Sequence, residues 1–330
     1  MSWRRIFPVV AMLWGCFHLD AQIYFVKQGA TGDGSSWTNA SGNLKYIMDK
    51  ATSGAQIWVA AGQYLPSPNG DRSVSFTLAN GVQLYGGFSG NEVSMEERDL
   101  AVNATILSGA IGKTGQEDNS FNVLYLYNAN SSTRIDGFII RDGRADGEAF
   151  TGGRKESGGG LYIDGAGVGI RSNPVIANCI FENNYAKTGG AVFNNGAGGT
   201  CNPQFINCQF IHNTAETDGG GMYNDGHNNG QCNPELINCM FQANYANLGG
   251  AIFNQSDRGT CSPEFNHCHF VENEAYVRGG SVYNTESSKR NFSLLKHCYF
   301  RDNRAPEGKN FFNLQSESGE PVTTGSMLRS

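Results

Sequence analysis

Three histidines, His267, His269 and His297, recur within one stretch of this chain, and three imidazoles brought together could hold a metal ion. No carboxylate or cysteine stands where it would complete such a ligand set, so the simpler reading makes His267 and His297 hydrogen-bonding groups at positions where other repeats carry Asn. Four cations, Arg141, Arg144, Arg154 and Lys155, surround a polar, glycine-rich segment at 142–157, and a base or a clamp for an anionic substrate is the chemistry they could supply. They are the candidate substrate-binding residues, around a segment expected to loop out of its scaffold, where function tends to sit. Asp218 and Asp225 flank one glycine-rich strand with Glu216 close by, yet no neighbouring repeat supplies a second acid at a matching offset, as a hydrolytic pair requires. No catalytic residue is assigned, and no cofactor is expected.

The elements that would position these groups are repeats. The word Cys-x-Phe-x-x-Asn occurs at Cys179 to Asn184, Cys208 to Asn213, Cys239 to Asn244, Cys268 to Asn273 and Cys298 to Asn303. A second word, Gly-Gly, small, aliphatic, aromatic, Asn, falls between them and ends at Asn194, Asn224, Asn254 and Asn284. A fixed period near 30 residues means stacked units, each burying its apolar face only against its neighbours. Cys and Phe two residues apart share one face of a strand, so the five repeat cysteines are expected to form a buried column. Cys201, Cys232 and Cys261 make a second column, each seven residues before a repeat cysteine. An intracoil bridge such as Cys201 with Cys208 would need the chain to fold back, since seven extended residues span roughly 23 Å.

Within one unit three short apolar stretches each end at Asn, the residue that after Gly best tolerates the left-handed conformation of a corner. The expected corner columns are Asn194, Asn224, Asn254 and Asn284; Asn178, Asn207 and Asn238, continued by His267 and His297; and Asn184, Asn213, Asn244, Asn273 and Asn303. Stacked in register, each column becomes a ladder of amides. The fold expected is all-β: a right-handed, single-stranded parallel β-helix with three strands per coil, its hand given by the crossover rule. Leu44 to Ala51 is the one convincing helix and is placed to cap the open end of the stack. An aromatic column, Tyr162, Phe193, Tyr223, Phe253 and Tyr283, alternates with an aliphatic one, and alternation alone leaves open which of the two faces inward.

Charged residues are 16% of the chain, apolar residues 39%, and glycine numbers 44 against 9 prolines, a turn-rich β composition with enough apolar residues for a core. The net charge of −6 has no basic block, which argues against a nucleic-acid partner. Arg4 and Arg5, an apolar run from Ile6 to Phe17 and Ala21 read as an export signal, with a lipoprotein-like alternative at Cys16. Without that signal no transmembrane segment is expected. The divisions are a signal at 1–21, a strand and capping helix at 22–65, irregular coils with an insertion at 66–157, regular repeats at 158–313 and a polar tail at 314–330.

Phe181-Glu182-Asn183-Asn184 and Gly249-Gly250-Ala251-Ile252 resemble the repeats of chlamydial polymorphic outer-membrane proteins, Phe-x-x-Asn with Gly-Gly-Ala-aliphatic. The segments at 27–37 and 56–64 resemble secreted β-helix proteins of Bacteroidetes in the wider pectate-lyase-like group. These resemblances imply the fold, a location outside the cell or on the outer-membrane surface, and adhesion. The function expected is a noncatalytic adhesin or glycan-binding scaffold whose partner is a polysaccharide or a host or envelope surface component. The alternative is a lyase or glycoside hydrolase of acidic polysaccharide with its site near 142–157.

Overall fold

The computed structural model describes residues 22–112, 115–148, 152–285, 293–314 and 328–329. The signal expected over 1–21, the alternative at Cys16 and nearly all of the tail expected over 314–330 lie outside the described residues. The chain winds as a parallel β-solenoid. Its first sheet has nine strands, from Ile23–Val26 to Leu294–Lys296, and its second has nine, from Gly62–Tyr64 to Leu328–Arg329. A third sheet has eight, from Phe76–Thr77 to Phe311–Asn313. Each strand pairs in parallel with the one a coil away, as Val175↔Gln204, Ile180↔Gln209 and Val192↔Met222 illustrate.

The coil has more than the three expected strands. Between the second and third faces runs a fourth sheet of five strands: Arg144–Ala145, Tyr185–Thr188, Thr214–Asp218, Tyr245–Leu248 and Glu274–Arg278. Its inward residues are Ala145, Ala186, Ala215, Ala246 and Ala275, all buried. A column of alanines carries too little hydrophobic signal to register as a strand by periodicity. The same sheet corrects the insertion: Arg144–Ala145 still pair with Tyr185–Ala186, so the chain leaves the coil after Ala145 and rejoins where Ser157 bridges Thr188.

Inside, the repeat phenylalanines stack almost coplanar. Phe181, Phe210, Phe241, Phe270 and Phe300 lie 5.1, 4.4, 5.2 and 4.8 Å apart between successive ring centres. Beside them Ile176, Phe205, Leu236, Phe265 and Leu295 fill the first face's side of the core. The eight described cysteines are buried free thiols. Cys208 Sγ donates to the carbonyls of Ile206 and Ile176, both at 3.5 Å, so a thiol at this position satisfies itself on the coil walls without a bridge. The helix Leu44–Lys50 caps the stack as its pattern requires: Asn43 accepts the Tyr46 N–H, and Leu44, Ile47 and Met48 face the core.

The corners use three different devices. Between first and second faces the left-handed residue is the expected one, with φ of 52–54° at Asn178, Asn207, Asn238, His267 and His297. Between second and fourth faces the positive φ falls one residue earlier than expected, on Asn183, His212, Ala243, Glu272 and Asp302. Asn184, Asn213, Asn244, Asn273 and Asn303 instead turn their side chains inward. The Asn194 column is not a corner at all. Asn194, Asn224, Asn254 and Asn284 lie within third-face strands and point into the core, linked Nδ2 to Oδ1 at 2.7, 2.8 and 2.7 Å. The turn into that face is made by Gly189, Gly219, Gly249, Gly279 and Gly308 at φ of 61–68°. A Cβ there would sit 2.1–2.7 Å from the carbonyl oxygen three residues on, so glycine is required.

Candidate functional site

The fourth sheet presents a run of unburied tyrosines. Inward alanines alternate with outward residues, and the register places Arg144, Tyr185, Thr214, Tyr245, Glu274 and Arg304 in one outward column, one residue per coil. Tyr185 and Tyr245 stand two coils apart, roughly 9.6 Å at the parallel-strand spacing, about the length of a disaccharide. In the next coil Tyr276 is 69% exposed, beside exposed Val277, and Tyr245 is 38% exposed. Arg144 lies over the Tyr185 ring at 4.5 Å, and the Tyr185 hydroxyl meets Glu216 at 3.5 Å. At the far end the strip opens into a cleft of about 510 Å³ lined by Glu274, Tyr276, Asp302, Arg304, Pro306 and Lys309. Uncovered phenol rings flanked by side chains of both charge signs can stack on a sugar ring and hydrogen-bond its hydroxyls.

The aromatic column noted in the sequence runs elsewhere. Leu161, Val192, Met222, Ile252 and Val282 belong to the main core, which turns Tyr162, Phe193, Tyr223, Phe253 and Tyr283 to the other side of the third face. There they stack at 4.8–5.2 Å as a second cluster, with Leu248 of the fourth sheet packed against them. All five are buried. Their energetic role is therefore packing between two faces.

The four cations do not converge. Arg141 faces outward from the second face, within 3.2 Å of Asp142 and 3.1 Å of Gln63. Arg144 alone reaches the fourth face, its Nε bonded to Asp146 at 2.7 Å while Arg72 holds the other oxygen of that carboxylate. Arg154 lies over the Tyr125 ring at 3.7 Å and donates to Ser75, and Lys155 stands 6.0 Å from the Phe121 ring. Ion pairs and ring faces thus occupy all four side chains, and nothing aims the set at one ligand. The histidines divide similarly. His267 and His297 stack at 4.8 Å at their corner, while His269 lies on the second face against Tyr299. Among the described residues no group of three His, Cys, Asp or Glu is placed to hold a metal ion.

Asp218 and Asp225 lie on opposite sides of the buried aromatics. Asp225 is bonded to His227 at 2.5 Å. Asp218 occupies the position taken by Thr188 and Leu248 in neighbouring coils, and burial pushes its carboxyl up to about 6 against a weaker opposing hydrogen bond from Thr217. A folded-state value above the unfolded one of 3.8 means that ionisation penalises the fold. The penalty is absent below about 3.8, grows as pH rises and is complete above about 6. Asp218→Asn should therefore raise the unfolding free energy near pH 8 by on the order of 1–2 kcal/mol and change little near pH 3.5, as read from paired urea melts.

Tyr185, Tyr245 and Tyr276 escaped the sequence reading, although a signal was there: Tyr185 and Tyr245 each directly follow the last Asn of a Cys-x-Phe-x-x-Asn word. Among the described residues no helix is long and apolar enough to cross a membrane. The sequence matches no protein-family model and no curated protein. Among solved structures, the crystal structure of pectate lyase Pel9A aligns over 90% of this chain and 82% of that one, at 10% identity and a TM-score of 0.46.

Proposed function

We propose that this protein is an exported, noncatalytic scaffold that binds a polysaccharide lengthwise along its fourth face. The observation that carries the reading is the strip of outward tyrosines at Tyr185, Tyr245 and Tyr276, ending in the charged cleft at Glu274 and Arg304. A solenoid suits this task because its backbone is locked by sheet bonds in every coil. Little conformational entropy is then lost on the protein's side when a long ligand lies down. Export rests on the basic-apolar-small pattern at 1–21, and adhesion to a host or envelope surface on the repeat resemblance. Sequencing the mature N-terminus separates cleavage after Ala21 from lipidation at Cys16.

The test is a glycan array spanning neutral and uronate-containing polysaccharides, followed by incubation with the best binders and analysis for released oligosaccharides. Retention of at least one polymer without release is expected. Release of unsaturated or reducing-end products would replace this reading with the lyase or hydrolase alternative, and retention of none would remove it.

A further inference from the structure

Ten side chains point outward from the second face over five successive coils, two from each. One column holds Ile180, Gln209, Met240, His269 and Tyr299, and the other Glu182, Ile211, Gln242, Val271 and Arg301. Each coil contributes one apolar residue, which alternates between the columns: Ile180, Ile211, Met240, Val271, Tyr299. Val271 is 7% exposed, and the other nine are partly or well exposed. The pattern reads the same from either end about Met240 and Gln242, except that its two terminal charges differ in sign. Glu182 closes one end and Arg301 the other. Their ion pairs within the chain are loose, Glu182 with Arg141 and Arg301 with Asp302, both at 3.6 Å.

Such a face is complementary to itself. A two-fold axis lying in the contact plane, along the Met240–Gln242 strand, lays a second copy on it with columns matched and coil order reversed. Glu182 then meets the other copy's Arg301, Ile180 meets Tyr299, Gln209 meets His269 and Ile211 meets Val271, while Met240 and Gln242 each meet themselves. Charge faces opposite charge at both ends, and apolar faces apolar between them. Moving the axis by half a coil loses the match: one direction sets Arg141 against Arg301, the other sets Ile211 against Arg301. From this we infer that the protein forms an antiparallel homodimer through its second face, the two sheets packing about 10 Å apart with strands aligned. The five strands span roughly 19 Å along the solenoid, a footprint short of the ~800 Å² per partner of a standard interface. The dimer is therefore weak and reversible. Because this axis preserves strand direction, the fourth sheets of both copies leave the interface on the same side, yet the inference stands without the glycan reading.

Sedimentation velocity up to about 1 mM protein tests it, with a monomer–dimer Kd of about 10–500 µM expected. Met240→Arg sets two cations against each other on the axis, and Glu182→Arg sets one against Arg301. Each should weaken association at least about 10-fold while the melting temperature stays within about 5 °C of the parent. The double variant Glu182→Arg/Arg301→Glu should recover it to within about 3-fold. Within one chain these two positions are roughly 19 Å apart, well beyond a Debye length of about 8 Å, so recovery reports a contact between copies. A monomer at about 1 mM, a dimer indifferent to both single variants, or a loss that the double variant does not recover would each overturn the inference.

Discussion

Replacing Asn244 with Ala is expected to cost about 3–5 kcal/mol of stability, far more than an ordinary polar-to-alanine change. Asn244 is 1% exposed and serves both neighbouring coils. Its Oδ1 accepts from the backbone N–H and from Nδ2 of Asn213, each at 3.0 Å. Its Nδ2 donates to Phe210 O at 2.8 Å and to Asn273 Oδ1 at 2.9 Å. Alanine leaves the Asn213 backbone N–H without its partner and one of the two Asn213 amide protons unbonded, the other staying on Phe181 O at 2.9 Å, in a dry corner where each such loss costs about 1–3 kcal/mol. Asn238→Ala is the matched control. That residue shares the repeat but lies in an exposed ladder, bonded to Asn207 at 3.3 Å, so its loss should cost about 1 kcal/mol, mostly for the left-handed backbone. Urea denaturation of the two variants checks the difference, and equal costs would mean that the inward ladder does not hold the corner.

The second large effect is on binding. Tyr245→Ala and Tyr276→Ala should each weaken polysaccharide binding roughly 10-fold, the usual worth of an aromatic anchor at a contact surface. Together they should weaken it between about 10- and 100-fold, short of full additivity because the residues are in adjacent coils. Both side chains point to solvent, so melting temperatures should stay within a few degrees of the parent, and isothermal titration gives the affinities. Tyr185→Ala is a less clean probe, since it also frees Arg144, which now lies against that ring.

Much of this architecture is legible in the repeats, and the parts that are not share a physical cause. The Cys-x-Phe-x-x-Asn word locates the stack, the phenylalanine column and the amide ladder, because burial and register act on the same residue in every coil. It misplaces the turns because an inward Asn and a left-handed Asn look alike as letters. Asn184 and Asn194 are the former, Asn178 and Asn207 the latter, and only backbone angles tell them apart. A position of positive φ is not even reserved for Asn or Gly, since Ala243 and Glu272 adopt it where the neighbouring ladder holds them. The fourth strand hides because alanine is its only inward residue. That concealed the candidate site too, as the tyrosines gain meaning only once their strand exists.

The cations show the reverse failure. Clustered around one insertion in sequence, Arg141, Arg144, Arg154 and Lys155 suggest a shared ligand, yet the solenoid spreads them over different faces and pairs them with Asp142, Asp146, Tyr125 and Phe121. Proximity along the chain is a poor guide in a stack, where true neighbours lie one coil away.

The most direct test of the account is a crystal structure with an oligosaccharide cut from the best-bound polymer. The predicted result is sugar density parallel to the solenoid axis on the fourth face, with rings over Tyr245 and Tyr276 and the chain end near Glu274 and Arg304. An ordered glycan on any other part of the surface, with the fourth face bare, would contradict it.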